Sequence, residues 1–85
     1  MNFLMEFRSA EDVDPDVVSA LEQAGHHYRD FWITSYLSDE ENWATAFQRG
    51  LSQIAPYNLP IIYISIEDET CKPIESTMSH ASING

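Results

Sequence analysis

Two kinds of hydrophobic periodicity alternate along the chain. Residues 2–8 place Phe3, Met5 and Phe7 on one side and polar or mixed residues on the other, a period of two that predicts a half-buried β-strand. The stretch Ile61 to Glu67 alternates in the same way and predicts a second strand. Between them, residues 14–54 follow a period near 3.6, which is typical of amphipathic helices.

The first predicted helix begins at Asp14 and extends to Tyr36. Asp14 can cap the free backbone N–H groups, Pro15 suits the first helical position, and Asp16 lies where the helix dipole favours negative charge. The helix has one apolar stripe, formed by Val17, Val18, Leu21, Ala24, Gly25, Tyr28, Phe31, Trp32 and Tyr36. A helix with one such stripe packs that side against a core.

The second predicted helix begins at Ser38, where Ser38 and Glu41 have the spacing of a capping box. Its apolar stripe consists of Trp43, Ala44, Phe47, Gly50, Leu51 and Ile54, and Pro56 ends it. A tight reversal near Leu37 and Ser38 would bring the two stripes together, with Gly25 facing Gly50. Each glycine costs about 1 kcal/mol in a helix interior, and close approach of the two backbones would offset this.

The predicted fold class is therefore α+β in the order β-α-α-β. An antiparallel helical hairpin would pack on a two-stranded antiparallel sheet. Both edges of so small a sheet would be unpaired, so a homodimer formed by edge pairing, or an edge offered to a partner, is a corollary. Residues 1–69 are expected to form one compact domain. Residues 70–85, rich in Ser, Thr, Asn and Gly, are expected to form a flexible tail.

Charge is the most distinctive feature of the composition. Fourteen acidic residues against four basic ones give a net charge of −10. Direct binding to nucleic acid or to an anionic membrane is not expected, because both surfaces would repel the protein. The chain has one cysteine and no apolar run long enough for a signal or membrane segment, which favours the cytoplasm.

Residues suited to catalysis are few. Glu22, His26 and Asp30 recur at intervals of four and would share a helix face, where they could hold a metal or transfer a proton. A solvated polar face explains them more simply. Cys71 and His80 fall in the predicted tail, where a nucleophile would not be held in place. The sequence therefore predicts a protein that is not an enzyme and needs no metal or cofactor.

The predicted β-α-α-β path brings two acidic stretches to the same end of the domain. One begins the second helix and the other ends the last strand, and Tyr36 lies at their rim. The six carboxylates are those of Asp39, Glu40, Glu41, Glu67, Asp68 and Glu69. They either keep the protein soluble or form a negative surface complementary to a basic groove.

In size and composition the chain resembles small acidic proteins that block nucleic-acid-handling enzymes. These are anti-restriction and anti-CRISPR proteins of phages, DNA mimics, nuclease immunity proteins and antitoxins. The resemblance implies an inhibitor that binds the basic surface of such an enzyme. The alternative is an adaptor or dimerising module that docks through an apolar helix face or sheet edge. Ile33 favours it, because the helical wheel places Ile33 on the polar face beside Glu22 and His26. Fraying of the helix at the β-branched pair Ile33 and Thr34 explains this position equally well.

Overall fold

The computed structural model describes residues 1–68 together with the backbone of residues 73–76. This part of the chain contains five strands, two α-helices and one 3-10 turn. They are β1 (Phe3–Ser9), α1 (Pro15–Gln23), β2 (His27–Arg29), β3 (Trp32–Leu37), α2 (Trp43–Ile54), a 3-10 turn (Ala55–Tyr57), β4 (Ile61–Asp68) and β5 (Pro73–Ser76).

The strands form one antiparallel sheet in the order β2-β3-β1-β4-β5. β1 lies in the centre, where Met5 pairs with Ser35 of β3 on one side and Ile66 of β4 on the other. The order and directions of β1 to β4, with a helix after β1 and another after β3, are those of the split β-α-β motif. The strand β5 extends the sheet beyond β4.

The two helices cover one side of the sheet. Along β1 every second residue is buried, and Phe3, Met5 and Phe7 are 0 to 1% exposed. Gly50 of α2 approaches Met5 so closely that a Cβ atom there would collide with the Met5 sulfur. The alternate residues of β1, on the side of the sheet away from the helices, are only partly buried. We call this side, which no helix covers in the described part of the chain, the open face.

The predicted helical hairpin on a two-stranded sheet is wrong. Residues 27–36, assigned to the first helix, and Leu37, assigned to the reversal after it, instead form the hairpin of β2 and β3, in which Arg29 pairs with Trp32. Asp30 and Phe31 form its two-residue turn, with φ of 50° and 75°. Positive φ at both positions is the mark of a type I′ turn, whose twist matches that of paired strands. The aromatic and β-branched residues 31–34 favour a strand over a helix.

The helix boundaries move accordingly. α1 ends at Gln23, and Gly25 adopts a φ of 97° just beyond it. Beyond its chain neighbours, no atom would lie within 4 Å of a Cβ atom at Gly25, so the predicted Gly25–Gly50 contact is absent. α2 begins after Asn42 rather than Ser38. The Asn42 side chain accepts a hydrogen bond from the backbone of Thr45, and the Thr45 hydroxyl reaches back to the Asn42 backbone, which completes a capping box four residues later than predicted.

The two strands predicted at residues 2–8 and 61–67 are present as β1 and β4. Their pairing shifts near one end, since Arg8 faces Tyr63 while Ser9 faces Ile61. Ile62 is the extra residue of this bulge and is 54% exposed. The strand β5 falls within the stretch predicted as a tail. The remainder of that prediction, at residues 70–72 and 77–85, lies outside the described residues.

Candidate functional site

The ends of β3 and β4 lie on either side of the start of β1. Leu4 pairs with Tyr36 and with Glu67, and Phe3 pairs with Leu37 and with Asp68. The loop 38–42 follows β3 directly, so its acidic residues belong to the same end of the sheet. We call the carboxylates of Asp39, Glu41, Glu67 and Asp68 the acidic end. Asp39 and Glu41 are exposed, and Glu67 and Asp68 are partly buried.

The structure does not place two of the predicted residues on this surface: one is not described, and the other is buried. Glu69 lies outside the described residues. Glu40 is 5% exposed, and its Oε2 atom lies 3.0 Å from the Nε atom of Arg49 on α2. No donor in the described part of the chain makes a hydrogen bond to this oxygen, so the contact is purely ionic. Glu40 therefore anchors the loop to the helix instead of facing a partner.

The loop that carries Asp39 and Glu41 is held in place by the first residues of the chain. The Met1 amino group donates to the Glu40 carbonyl, and the Glu40 N–H donates to the Met1 carbonyl, both at 2.8 Å. The Asp39 N–H donates to the side chain of Asn2 at 3.2 Å, and Asp39 adopts a φ of 61°. These bonds fix the loop backbone. The side chains of Asp39 and Glu41 therefore extend from a backbone of restricted mobility.

Large exposed apolar side chains occur at the same end. Tyr36 is 64% exposed, Met1 is 61% exposed, and Trp43, the first residue of α2, is 40% exposed. A partner binds most strongly where apolar anchors lie inside a polar rim. The acidic end supplies the polar part of such a surface, and the exposed apolar side chains near it supply the anchors.

Three carboxylates of this end, those of Asp39, Glu41 and Glu67, form no salt bridge within the described residues. The described residues form two salt bridges, Arg29 with Asp30 and Arg49 with Glu40. Neither involves Asp39, Glu41 or Glu67. The negative potential at this end is therefore not neutralised by a salt bridge to any of these three carboxylates.

The second predicted set, Glu22, His26 and Ile33, is not a surface. Glu22 is exposed on α1, but Ile33 is 0% exposed on the core side of β3. His26 is 8% exposed, and its Nδ1 atom lies 2.8 Å from the hydroxyl of Ser35. Burial lowers the pKa of His26 from its ordinary value of 6.5. The helical wheel misplaced these residues because it extended α1 beyond Gly25.

The same correction separates the predicted Glu22, His26 and Asp30 set. His26 points into the core, and Asp30 is 87% exposed at the hairpin turn. Residues 1–68 contain no group of three or more His, Cys, Asp or Glu side chains arranged to hold a metal ion. Cys71 and His80 lie outside the described residues.

The helical interpretation missed a second cluster, on the open face at the opposite end of the sheet. Arg8 pairs with Trp32 and with Tyr63, and its guanidinium carbon lies 5.4 Å from the Trp32 ring and 5.1 Å from the Phe31 ring. The Trp32 and Tyr63 rings meet edge to face at 6.0 Å. Arg29 of β2 also pairs with Trp32, across the edge of β3 that faces away from β1. We call Arg8, Arg29, Phe31, Trp32 and Tyr63 the arginine patch. In the sequence, the alternation of Trp32, Thr34 and Tyr36 is the pattern that indicates a strand here with Trp32 on its outward side.

An apolar cleft of about 360 Å³ opens between the end of α2 and β4. Its lining contains one polar side chain and no charged one. The lining residues are Phe7, Leu51, Ile54, Ala55, Asn58, Leu59, Ile61 and Ile64. A lining of this kind suits an uncharged, largely apolar group.

Comparison with known protein families, curated proteins and solved structures finds no match to this chain. Neither helix in the described part has the length and apolar character needed to cross a membrane. The functional argument therefore depends on the surfaces described above.

Proposed function

We propose that this protein binds, through its acidic end, a basic surface on another protein, and that the partner is a nucleic-acid-handling enzyme which it inhibits. The observation that carries the proposal is the pairing of Leu4 with both Tyr36 and Glu67, which puts an exposed aromatic residue and an acidic strand end on either side of Leu4. We further propose that the protein acts in the cytoplasm, without a cofactor and without catalysing a reaction.

The charges and the apolar groups have different roles in this proposal. Exposed carboxylates attract a basic partner over several ångströms and orient it before contact, which raises the association rate. Once the partner is seated, Tyr36, Met1 and Trp43 supply apolar area that slows dissociation. The bonds that fix the loop to Met1 and Asn2 reduce the entropy lost on binding.

A basic surface that accommodates nucleic acid is the partner chemistry that fits best. Such a surface is lined by Lys and Arg spaced to meet phosphates, and a compact set of carboxylates can occupy the same positions. Blocking that surface would prevent the enzyme from binding its own substrate. The alternative, an adaptor that docks through apolar groups, is favoured by the exposure of Tyr36 and Ile62.

The test compares two variants with equal changes in net charge. Asp39→Asn, Glu41→Gln and Glu67→Gln remove three charges at the acidic end, and asparagine tolerates the positive φ of Asp39. Glu11→Gln, Asp16→Asn and Glu22→Gln remove three charges elsewhere on the exposed surface. Partners captured from the producing cells by the parent are identified, purified and tested for binding to all three proteins.

We expect the first variant to associate at least about tenfold more slowly at low salt, and the second to stay within about twofold of the parent. The parent's association rate should fall steeply as salt rises, and the purified enzyme should lose nucleic-acid binding when the parent is added. If the two variants behave alike, the acidic residues only keep the protein soluble. Salt-independent binding would favour the adaptor.

A further inference from the structure

The arginine patch contains a cation, Arg8, that forms no ion pair with an acid in the described part of the chain. Among the described residues, Arg49 pairs with Glu40 and Arg29 with Asp30, but Arg8 has no salt bridge. Its guanidinium lies against the Phe31 and Trp32 rings, and Nη1 donates to the Asp30 carbonyl at 3.3 Å. An arginine carries five N–H donors, so Arg8 retains donors for an external carboxylate.

Two features of the backbone that are unfavourable for stability occur here, one within the patch and one next to it. Phe31 has a φ of 75°, which is rare for a bulky residue. The bulge in β4 leaves Ile62 54% exposed next to Tyr63. Strained turns and bulges are common where a fold presents side chains to a partner. Trp, Tyr and Arg are also the residues that contribute most to binding at protein interfaces.

The acidic end has the groups that this patch lacks. On β1, Leu4 lies between Tyr36 and Glu67, while four residues further on Arg8 lies between Trp32 and Tyr63. A carboxylate and an exposed ring on either side of Leu4 at one end of the sheet are thus matched at the other end by a guanidinium that lies against the Phe31 and Trp32 rings. Arg29 is 82% exposed and its contact with Asp30 spans 3.7 Å, so it can exchange partners at little cost.

We propose that the arginine patch binds the acidic end of a second copy of this chain. The contact joins two different surfaces, so it is head-to-tail, and a dimer formed this way still has one acidic end and one arginine patch available for further copies. This inference goes beyond the proposed function, because it needs no other protein. It adds regulation where both hold, since self-association occupies the same acidic end that a basic partner would use.

The net charge of −10 limits the strength of this contact. Long-range repulsion between copies is screened within about 10 Å at about 0.1 M salt, whereas a stacked arginine and carboxylate in contact are screened less. Glu6, next to Arg8 on the open face, adds to the repulsion. Association should therefore be weak, strongest at intermediate salt, and dependent on protein concentration.

Sedimentation equilibrium of the full chain tests this at about 0.15 M and about 0.5 M salt. The average mass should rise with concentration above that of the monomer at the lower salt and rise less at the higher. Arg8→Gln with Arg29→Gln should raise the dissociation constant at least about tenfold. Glu41→Gln with Glu67→Gln should do the same, and Glu11→Gln with Glu22→Gln, an equal change in charge elsewhere, should not.

A mixture of the two defective variants gives the sharpest result. The first retains an intact acidic end and the second an intact arginine patch, so together they should form a 1:1 dimer that grows no further. A mixture that stays monomeric overturns the proposal, as does a parent that is monomeric at all concentrations. Arg29→Gln alone changes a highly exposed side chain and should weaken association even if the Arg8 change lowers stability. Arginine variants that lose self-association but bind the basic partner normally would separate this inference from the proposed function.

Discussion

The carboxylate of Glu40 lies 3.0 Å from the Nε atom of Arg49, and the two side chains differ sharply in exposure. The Glu40 side chain is 4% exposed and the Arg49 side chain 59%. The buried charge therefore depends on a cation that reaches it from the surface of α2. This pair fixes the loop that carries Asp39 and Glu41.

We expect Arg49→Met to lower the free energy of unfolding by about 1 to 3 kcal/mol, because it leaves a buried carboxylate without its cation. Adding Glu40→Gln should recover part of the loss, since the buried charge is then gone. Arg29→Met is the matched control, as its ion pair is exposed, and it should change stability by less than about 0.5 kcal/mol. Urea unfolding at neutral pH measures all three. Equal effects of Arg49→Met and Arg29→Met would show that the Glu40 contact contributes nothing.

Gly50 should tolerate no large side chain, because Met5 and Leu37 lie against it. Gly50→Leu is expected to destabilise the fold by about 1 to 3 kcal/mol through overpacking. Met5→Ala should be less harmful in that variant than in the parent, because the leucine fills the volume that Met5 vacates. A double-mutant cycle from denaturant unfolding measures this coupling. Additive effects would contradict the contact between α2 and β1.

Phe31 allows the cost of a positive φ to be measured directly. Phe31→Ala and Phe31→Gly both remove the ring that lies under Arg8, but only glycine accepts a φ of 75° without strain. The glycine variant should therefore be more stable than the alanine variant by about 1 to 2 kcal/mol. Thermal or urea unfolding of the pair gives the difference. The usual order, with alanine more stable, would mean that the turn relaxes on mutation.

Stability should fall as the pH drops below the ordinary pKa of His26. Burial lowers that pKa in the folded state from 6.5, so between 6.5 and the folded value the unfolded chain binds more protons. The contribution is fully present above 6.5 and decreases as the pH falls through this window. Unfolding measured from about pH 7.5 to about pH 5.5 should show the loss. His26→Gln should flatten this dependence, whereas His27→Gln, at an exposed residue, should leave it unchanged.

The strands at the two ends of the fold could be predicted because their alternation is simple. In β1 the inward residues Phe3, Met5 and Phe7 are apolar and only the last, Ser9, is polar, and in β4 the inward residues Ile64 and Ile66 are both isoleucine. β3 gave a weaker signal, because its inward residues include Ser35 between Ile33 and Leu37. Ser35 is acceptable there only because His26 supplies a hydrogen bond, and a period of two does not reveal that contact.

The chain path predicts where the acidic end lies. It does not predict which carboxylates are exposed there. Any path that returns the end of β4 beside the start of α2 gathers these acids, so an incorrect topology still brought Asp39 near Glu67. Whether a carboxylate points outward depends on side-chain contacts. Glu40 lies between two exposed acids in the sequence, and only the position of Arg49, nine residues later, turns it inward. The arginine patch required the correct strand order before it could be recognised.

The central position of β1 has a consequence for how the chain folds. Its seven residues precede both of their neighbours in the chain, and one of these neighbours, β4, ends only at Asp68. Pairing over so long a separation requires closure of a large loop, and the entropy is lost before the new contacts stabilise the pair. Such non-local pairing slows folding. On the ribosome, β1 would remain an apolar segment that pairs first with β3, until β4 had emerged. Mutations that weaken the β1 to β3 ladder should therefore lengthen this exposed interval and promote aggregation during synthesis.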